Sequence, residues 1–318
     1  MNAPRITVIG SFMQAACWQL PRLPAPGETL AATGFYSEPA GKGLAVAVGC
    51  RRLGARVDLL LSIGDDAAGD GLLQCLRREG LSASHVQRRR GPSGHGAGWL
   101  AADGENAIAA FLGANLLLDA AQVAQAGEAL AYSTLVYAQF EAPPQAARAA
   151  FAQARRGGRA CMTVLNPSPW QRPDADLLAC TQALLVNAVE AAQLAPGWPL
   201  APQPARCAEL AALLAPLWSA WPGGPERLLV VTLGPAGSMA FTPDGRGHWE
   251  PPLAAPVCSS IGAGDAFAAG LCVALGRRLP LNEALRQGNA CGAFAVSRAG
   301  LLEGLPNVAQ VRAVLGGA

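Results

Sequence analysis

Strand-length apolar runs that stop at glycine alternate with longer stretches of helical period along this chain. Ile6-Thr7-Val8-Ile9 is a short apolar run ending at Gly10. Gly41 to Gly54 carries Ala45, Val46, Ala47, Val48 and Leu53, a pattern that predicts a buried helix. Val57 to Ile63 is again an apolar strand, halted by Gly64-Asp65-Asp66. Gly69 to Glu79 is amphipathic, and Gly80 is placed to end that helix. Such βαβα alternation implies a parallel sheet flanked by helices.

The rhythm changes between Val86 and Leu112. Gly91-Pro92-Ser93-Gly94 and Asp103-Gly104 before Glu105 are turn signals between apolar runs, which predicts strands joined as hairpins. Leu20 to Glu38, rich in Pro and Gly, is likewise non-helical. Segments of about 11–40 and 86–112 are therefore expected to form a small β lid inserted in the α/β body, with residues 1–318 as one domain. Alternation then resumes. Strands are predicted at Leu135–Ala138, Ala160–Leu165, Ala183–Val186 and Leu228–Leu233, and helices at Pro144–Arg155, Gly264–Leu275 and Leu281–Ser297. Pro196 to Pro204 is predicted to be a surface connector.

Composition narrows the function classes. Hydrophobic residues make up 51% of the 318, enough for a sizeable core. Lys plus Arg number 24 and Asp plus Glu 22, so the net charge is 24 − 22 = +2. That balance argues against a nucleic-acid binder, and Arg88-Arg89-Arg90 is expected to be a solvated strand end. Nine cysteines occur with no C-x-x-C pair, as in a cytoplasmic protein with reduced thiols. No apolar run approaches the roughly 20 residues of a membrane span, and the start lacks a leader pattern, so no membrane partner is expected.

The candidate chemistry centres on Ser259-Ser260-Ile261-Gly262-Ala263-Gly264-Asp265. Small residues let backbone N–H groups converge, and such a turn opening a helix binds anions. Phosphoryl transfer needs that feature. Asp265, in the first turn beside the anion hole, could take a proton from an attacking hydroxyl. The structural alternative is that it only complements the helix dipole. A second glycine-rich entry, Ala40-Gly41-Lys42-Gly43, opens the buried helix, and it is not a Walker A loop. No G-x-G-x-x-G follows the first strand, which counts against a dinucleotide enzyme.

In this order and spacing the two stretches resemble the signature regions of the PfkB/ribokinase family. Gly10-Ser11 with Pro26-Gly27-Glu28-Thr29 resembles the family's first strand and the G-E-T after it. Glu105-Asn106 after Gly104 and Gly113-Ala114-Asn115 resemble its lid strands and their exit, and Gln139-x-Glu141 the end of a central strand. Asn166-Pro167-Ser168-Pro169 is similar to N-P-A-P, Asn187-x-x-Glu190 to N-x-x-E, and Thr232-Leu233-Gly234-x-x-Gly237 to T-L-G-x-x-G. The resemblance covers about residues 5 to 310.

It implies a ribokinase-like three-layer α/β sandwich with a mostly parallel central sheet and a small β lid. It also implies an ATP-dependent kinase acting on a hydroxyl of a sugar or sugar-like molecule. Asp265 would be the base, and Gly262, Ala263 and Gly264 the anion hole. Asn187 and Glu190 would organise Mg²⁺, Glu190 chiefly through water. Thr232, Gly234 and Gly237 would lie at the phosphates, and Asn289 beside the adenine. Ser11, Met13, Ala15, Gly41, Lys42, Ala45 and Glu141 would line the acceptor site. A homodimer through the lid is compatible with the resemblance.

The departures fall on the acceptor side. Where ribokinases read Asn then Asp after Gly-Ser, this chain has Met13 and Ala15, and Ala45 replaces a further Asn. Loss of these partners disfavours a small polyol such as ribose. Ser259 replaces an Asp, which puts a monovalent cation of the ribokinase kind in doubt. A nucleoside kinase, or a catalytically weak nucleotide- or metabolite-binding protein of the same fold, stands as the alternative.

Overall fold

The computed structural model describes residues 3–103, 105–156 and 160–316. Its strands in chain order are β1 Arg5–Ile9, β2 Met13–Leu20, β3 Gly34–Ala40, β4 Arg56–Gly64, β5 Val86–Arg89, β6 Gly94–Ala101 and β7 Asn106–Phe111. They continue as β8 Leu135–Gln139, β9 Met162–Asn166, β10 Ala183–Asn187, β11 Leu228–Thr232, β12 Ser238–Phe241 and β13 Gly247–Glu250. Nine of them form one sheet in the order β13-β12-β11-β10-β9-β8-β1-β4-β5. Every pairing from β11 to β5 is parallel, and only the β11–β12 and β12–β13 pairings are antiparallel.

The apolar runs explain the layers. Side chains alternate across a strand, so an unbroken apolar run has to be buried on both faces. Leu135 and Tyr137 of β8 pack into one core, Val136 and Ala138 into the other. Helices Lys42–Arg52, Ala263–Gly276 and Leu281–Val296 cover the first face. Pro144–Arg156 leads a set of helices on the second. The result is a three-layer α/β sandwich. Small residues let the first-face helices approach closely: a Cβ at Gly49 would come within 2.6 Å of the Ala269 methyl.

β2, β3, β6 and β7 make the separate small sheet, in the order β3-β2-β6-β7. The lid segment expected at about 86–112 divides between the sheets. Val86–Arg89 pairs in parallel with β4 and extends the large sheet, and the small sheet resumes only at Gly94. Pro92, which lacks a donor, sits between the two strands. Gly104 of the expected Asp103-Gly104 turn lies outside the described residues. The β12–β13 hairpin was not anticipated, although Pro243-Asp244-Gly245 is a turn signal, with Gly245 at φ +81°. Among the described residues no helix is long and apolar enough to cross a membrane.

Candidate active site

From β1 the chain builds outward through β4 on one side, whereas β8 lies on the other. The strand order therefore reverses between β1 and β8, and a crevice opens at the carboxyl ends of such strands. Ser11 follows β1 and Glu141 follows β8. They meet there, with Ser11 Oγ donating to Glu141 Oε2 at 2.6 Å. Ser11 Oγ accepts from Gln139 Nε2 at 2.9 Å and from the Gly43 N–H at 3.2 Å. Glu141 Oε2 also accepts the Lys42 N–H at 2.9 Å, so one carboxylate oxygen anchors the helix that Gly41 opens.

The glycines of that entry are required sterically. Gly41 has φ +114°, and a Cβ on Gly43 would lie 2.2 Å from the Gly10 Cα. The close approach brings Lys42 over the crevice, where its Nζ lies 4.0 Å from Asp265 Oδ1. Lys42 is the only lysine in the sequence; every other member of the 24 basic residues is arginine. That compositional signal is legible in the sequence, and a compact lysine ammonium is not interchangeable with an arginine fork.

Asp265 stands in the first turn of helix Ala263–Gly276, whose N-cap Gly262 has φ +79° and no side-chain cap. Its side chain is only 12% exposed against 32% for Lys42. Burial pushes the Asp265 carboxyl above the usual aspartate range, and the Lys42 charge pulls it back. In return Asp265 raises Lys42, against burial, with Glu141 and Glu190 adding to the rise. Glu141 is itself raised by burial and lowered by Lys42 and Ser11. Two carboxylates thus share one ammonium, and Glu190 lies within its field.

Asn187 and Thr232 are register partners at the carboxyl ends of β10 and β11. Asn187 and Glu190 form a reciprocal capping box: Asn187 Oδ1 accepts the Glu190 N–H at 2.8 Å, and Glu190 Oε2 accepts the Asn187 N–H at 2.9 Å. The N-x-x-E spacing therefore has a structural use of its own. Gly234, at φ +57°, faces open space, whereas a Cβ on Gly237 would strike the Glu250 carbonyl oxygen at 2.3 Å. Asn289 is buried and donates Nδ2 to the Glu250 and Pro251 carbonyls, which commits its amide to the wall of the crevice.

On the acceptor side the expected residues separate. Met13 and Ala15 stand on the lid strand β2, and Ala15 packs down onto the first-face core. Ser11 is fully buried, and its hydroxyl is spent on holding Glu141. Ala45 has no accessible surface, because a methyl that far into the buried helix ends inside the core. These two back the crevice and do not line it. Ser259 Oγ accepts the Ile261 N–H at 3.2 Å, so it supports the turn before Gly262.

Two residues to which the sequence reading assigned no site role fix the roots of the lid. Asn115 accepts from the Phe12 N–H at 2.8 Å and donates Nδ2 to the Phe12 and Leu112 carbonyls, each at 2.7 Å. Asp66 caps its helix at Gly69 and also accepts from the Ser93 N–H and Oγ. The signal for Asn115 was its place in Gly113-Ala114-Asn115, but only tertiary structure shows what it binds.

Comparison with known proteins agrees with this fold. The family profile described as "pfkB family carbohydrate kinase" matches residues 3–308. A ribokinase from Haemophilus influenzae is 28% identical over 302 residues, covering 95% of each chain. Among solved structures, a ribokinase from Giardia lamblia superposes with a TM-score of 0.87 at 24% identity, covering 99% of both chains. An Arabidopsis thaliana ribokinase complexed with ribose and ATP gives 0.86 at 23% identity, again over 99% of both. A profile match over almost the whole length, on a crevice with a buried carboxylate at a glycine-rich helix entry, has one reading: this chain belongs to the pfkB family of carbohydrate kinases.

Proposed function

We propose that the protein transfers the γ-phosphoryl group of ATP to a hydroxyl of a sugar or sugar-like acceptor, with Asp265 as the base. The carrying observation is Asp265 itself: a nearly buried carboxylate on the uncapped Gly262-Ala263-Gly264 turn, 4.0 Å from the only lysine. The acceptor O–H hydrogen-bonds to Asp265 and loses its proton as its oxygen attacks phosphorus. The bond to the ADP oxygen breaks as the new ester bond forms. Charge on the transferring group meets the backbone N–H groups of the turn and the Lys42 ammonium, which is where such reactions gain most. Asn187, Glu190, Thr232, Gly234 and Gly237 supply the donor side, with Asn289 behind it.

The residues present suit Mg²⁺ that arrives with the nucleotide. Mg²⁺ keeps several waters and takes one or two carboxylates. Glu190 offers one such carboxylate, and the described residues contain no cluster of three or more metal-ligating side chains. When bound, Mg²⁺ would neutralise phosphate charge.

The acceptor is less polar than ribose. The lid face turned to the crevice carries Met13, Ala15, Cys17, Gly96, Gly98 and Ile108 beside Tyr36 and Glu38, and a Cβ at Gly96 would meet nothing nearer than 3.9 Å. Outside Glu38, which is tied to Leu301, and Tyr36, that surface is open and apolar, which suits a substituent such as a nucleoside base. With Mg-ATP, ADP release should be faster with nucleosides or apolar glycosides than with ribose. Ribose kcat/KM should fall below about 10⁴ M⁻¹s⁻¹, the lower end of the common enzyme range. Efficient ribose turnover would overturn the acceptor reading, and absence of ATP binding by calorimetry would overturn the donor reading.

A further inference from the structure

Glu38 stands on strand β3 of the lid, directly opposite Ala15, on the face turned toward the crevice. Its carboxylate reaches off the lid to a part of the chain more than 260 residues away. The Leu301 N–H donates to both of its oxygens, at 2.9 and 3.1 Å. Leu301 in turn covers the anion-hole turn: a Cβ on Gly262 would come within 2.5 Å of its Cδ1. Gly300 takes φ +86°, a backbone angle that favours glycine, and a Cβ there would sit in ordinary contact with Glu38 Oε2 at 3.4 Å. A continuous path therefore runs from the lid strand through Glu38 and Leu301 to the N-cap of the helix that carries Asp265.

The arrangement is costly, which is the reason to ask what it does. Among the described residues Glu38 has no Lys, Arg or His within ion-pair distance, and Glu303 adds a like charge nearby. Burial raises its carboxyl above the usual range, and the backbone N–H groups of Leu301 and Leu302 pull it back. A half-buried carboxylate without a cation adds little to stability. The other lid ties, at Asn115 and Asp66, hold the roots of the lid and reach neither Leu301 nor the anion hole.

We propose that Glu38 is a positioning residue that clamps the lid to the Gly300–Leu301 backbone, so that lid closure and setting of the Gly262 turn are a single event. The inference rests on the kinase reading for its consequence, but its geometry can be tested apart from it. Hydrogen exchange read by mass spectrometry on the full chain, for wild type, Glu38→Ala and Glu38→Gln, is the first arm. Glu38→Ala should speed exchange in peptides spanning 34–40, 298–305 and 259–265 together. Glu38→Gln, which keeps an acceptor oxygen, should restore part of the protection. The second arm is Mg-ATP turnover, to the best acceptor or to water. Glu38→Ala should lower kcat about tenfold to a hundredfold, the scale of a misplaced site, with ATP affinity by calorimetry unchanged. Faster exchange at 298–305 with 259–265 unaltered, or a lowered Tm with kcat and acceptor KM unchanged, would overturn the clamp. If wild type itself turned over no ATP, the kinase reading would fail while the exchange arm still judged Glu38.

Discussion

Asp265 has two opposed effects on the molecule. To serve as the proposed base it must be ionised, yet burial favours its protonated form. A carboxyl whose pKa is higher folded than unfolded binds more protons in the folded state. Its contribution to stability therefore declines as pH rises from the unfolded value, about 3.9, through the folded one. Asp265→Asn removes that burden together with the base. It should cost at least about 10²-fold in kcat, leave ATP affinity nearly unchanged, and keep or raise Tm at pH 7. Near-normal kcat would reduce Asp265 to a helix-dipole residue. Lys42 can be tested through the same group, because its charge holds the Asp265 carboxyl down. In Lys42→Met the acid limb of the residual pH–rate profile should move to higher pH. An unmoved limb would mean that the 4.0 Å pair is not felt in solution.

The helix Lys42–Arg52 shows how a whole element is set by one close approach. Its N-terminus lies against the exit of β1, leaving no space for a side chain at position 43. Gly43→Ala must push the helix away from Gly10 and Ser11, breaking the bond from the Gly43 N–H to Ser11 Oγ. Overpacking of this kind costs about 1–3 kcal/mol. A lowered Tm is expected, with a larger loss of acceptor kcat/KM because Lys42 and Glu141 shift together. At Gly71, whose Cβ would meet nothing within 4 Å, the same change is the control and should be close to neutral. Equal effects at both positions would show that the packing argument is wrong.

Across the molecule, the outer lid face carries a partly uncovered aromatic cluster beside Gln14, Ser37 and His95. Trp18 stacks on Trp99 with ring centroids 6.2 Å apart and meets Phe35 at 5.3 Å. Phe35 is 60% exposed. Aromatic side chains displayed this way mark association sites. We expect two copies to pair through this face, with sedimentation giving a dimer and Phe35→Glu shifting it toward monomer. A wild-type monomer at tens of micromolar would rule the pairing out.

The βα rhythm was readable because apolar runs buried on both faces leave a one-dimensional trace, as in Leu135 to Ala138 and Val57 to Ile63. The helix entries at Gly41 and Gly262 were readable because only glycine tolerates their backbone angles. The edge position of Val86–Arg89 was not, since a strand's pattern does not say which sheet receives it. Nor was the split between Ala15, which faces the crevice, and Ala45, which lies beneath it. Partners far apart in sequence leave no local trace either. Ser11 with Glu141, Lys42 with Asp265 and Glu38 with Leu301 are joined only because β1 and β8 become neighbours and the lid folds back over the C-terminal turn. Local composition could name the chemical groups of this enzyme. Which groups share a charge, a proton or a wall was settled by packing, because Coulomb and hydrogen-bond energies depend on distance in space and not on separation along the chain.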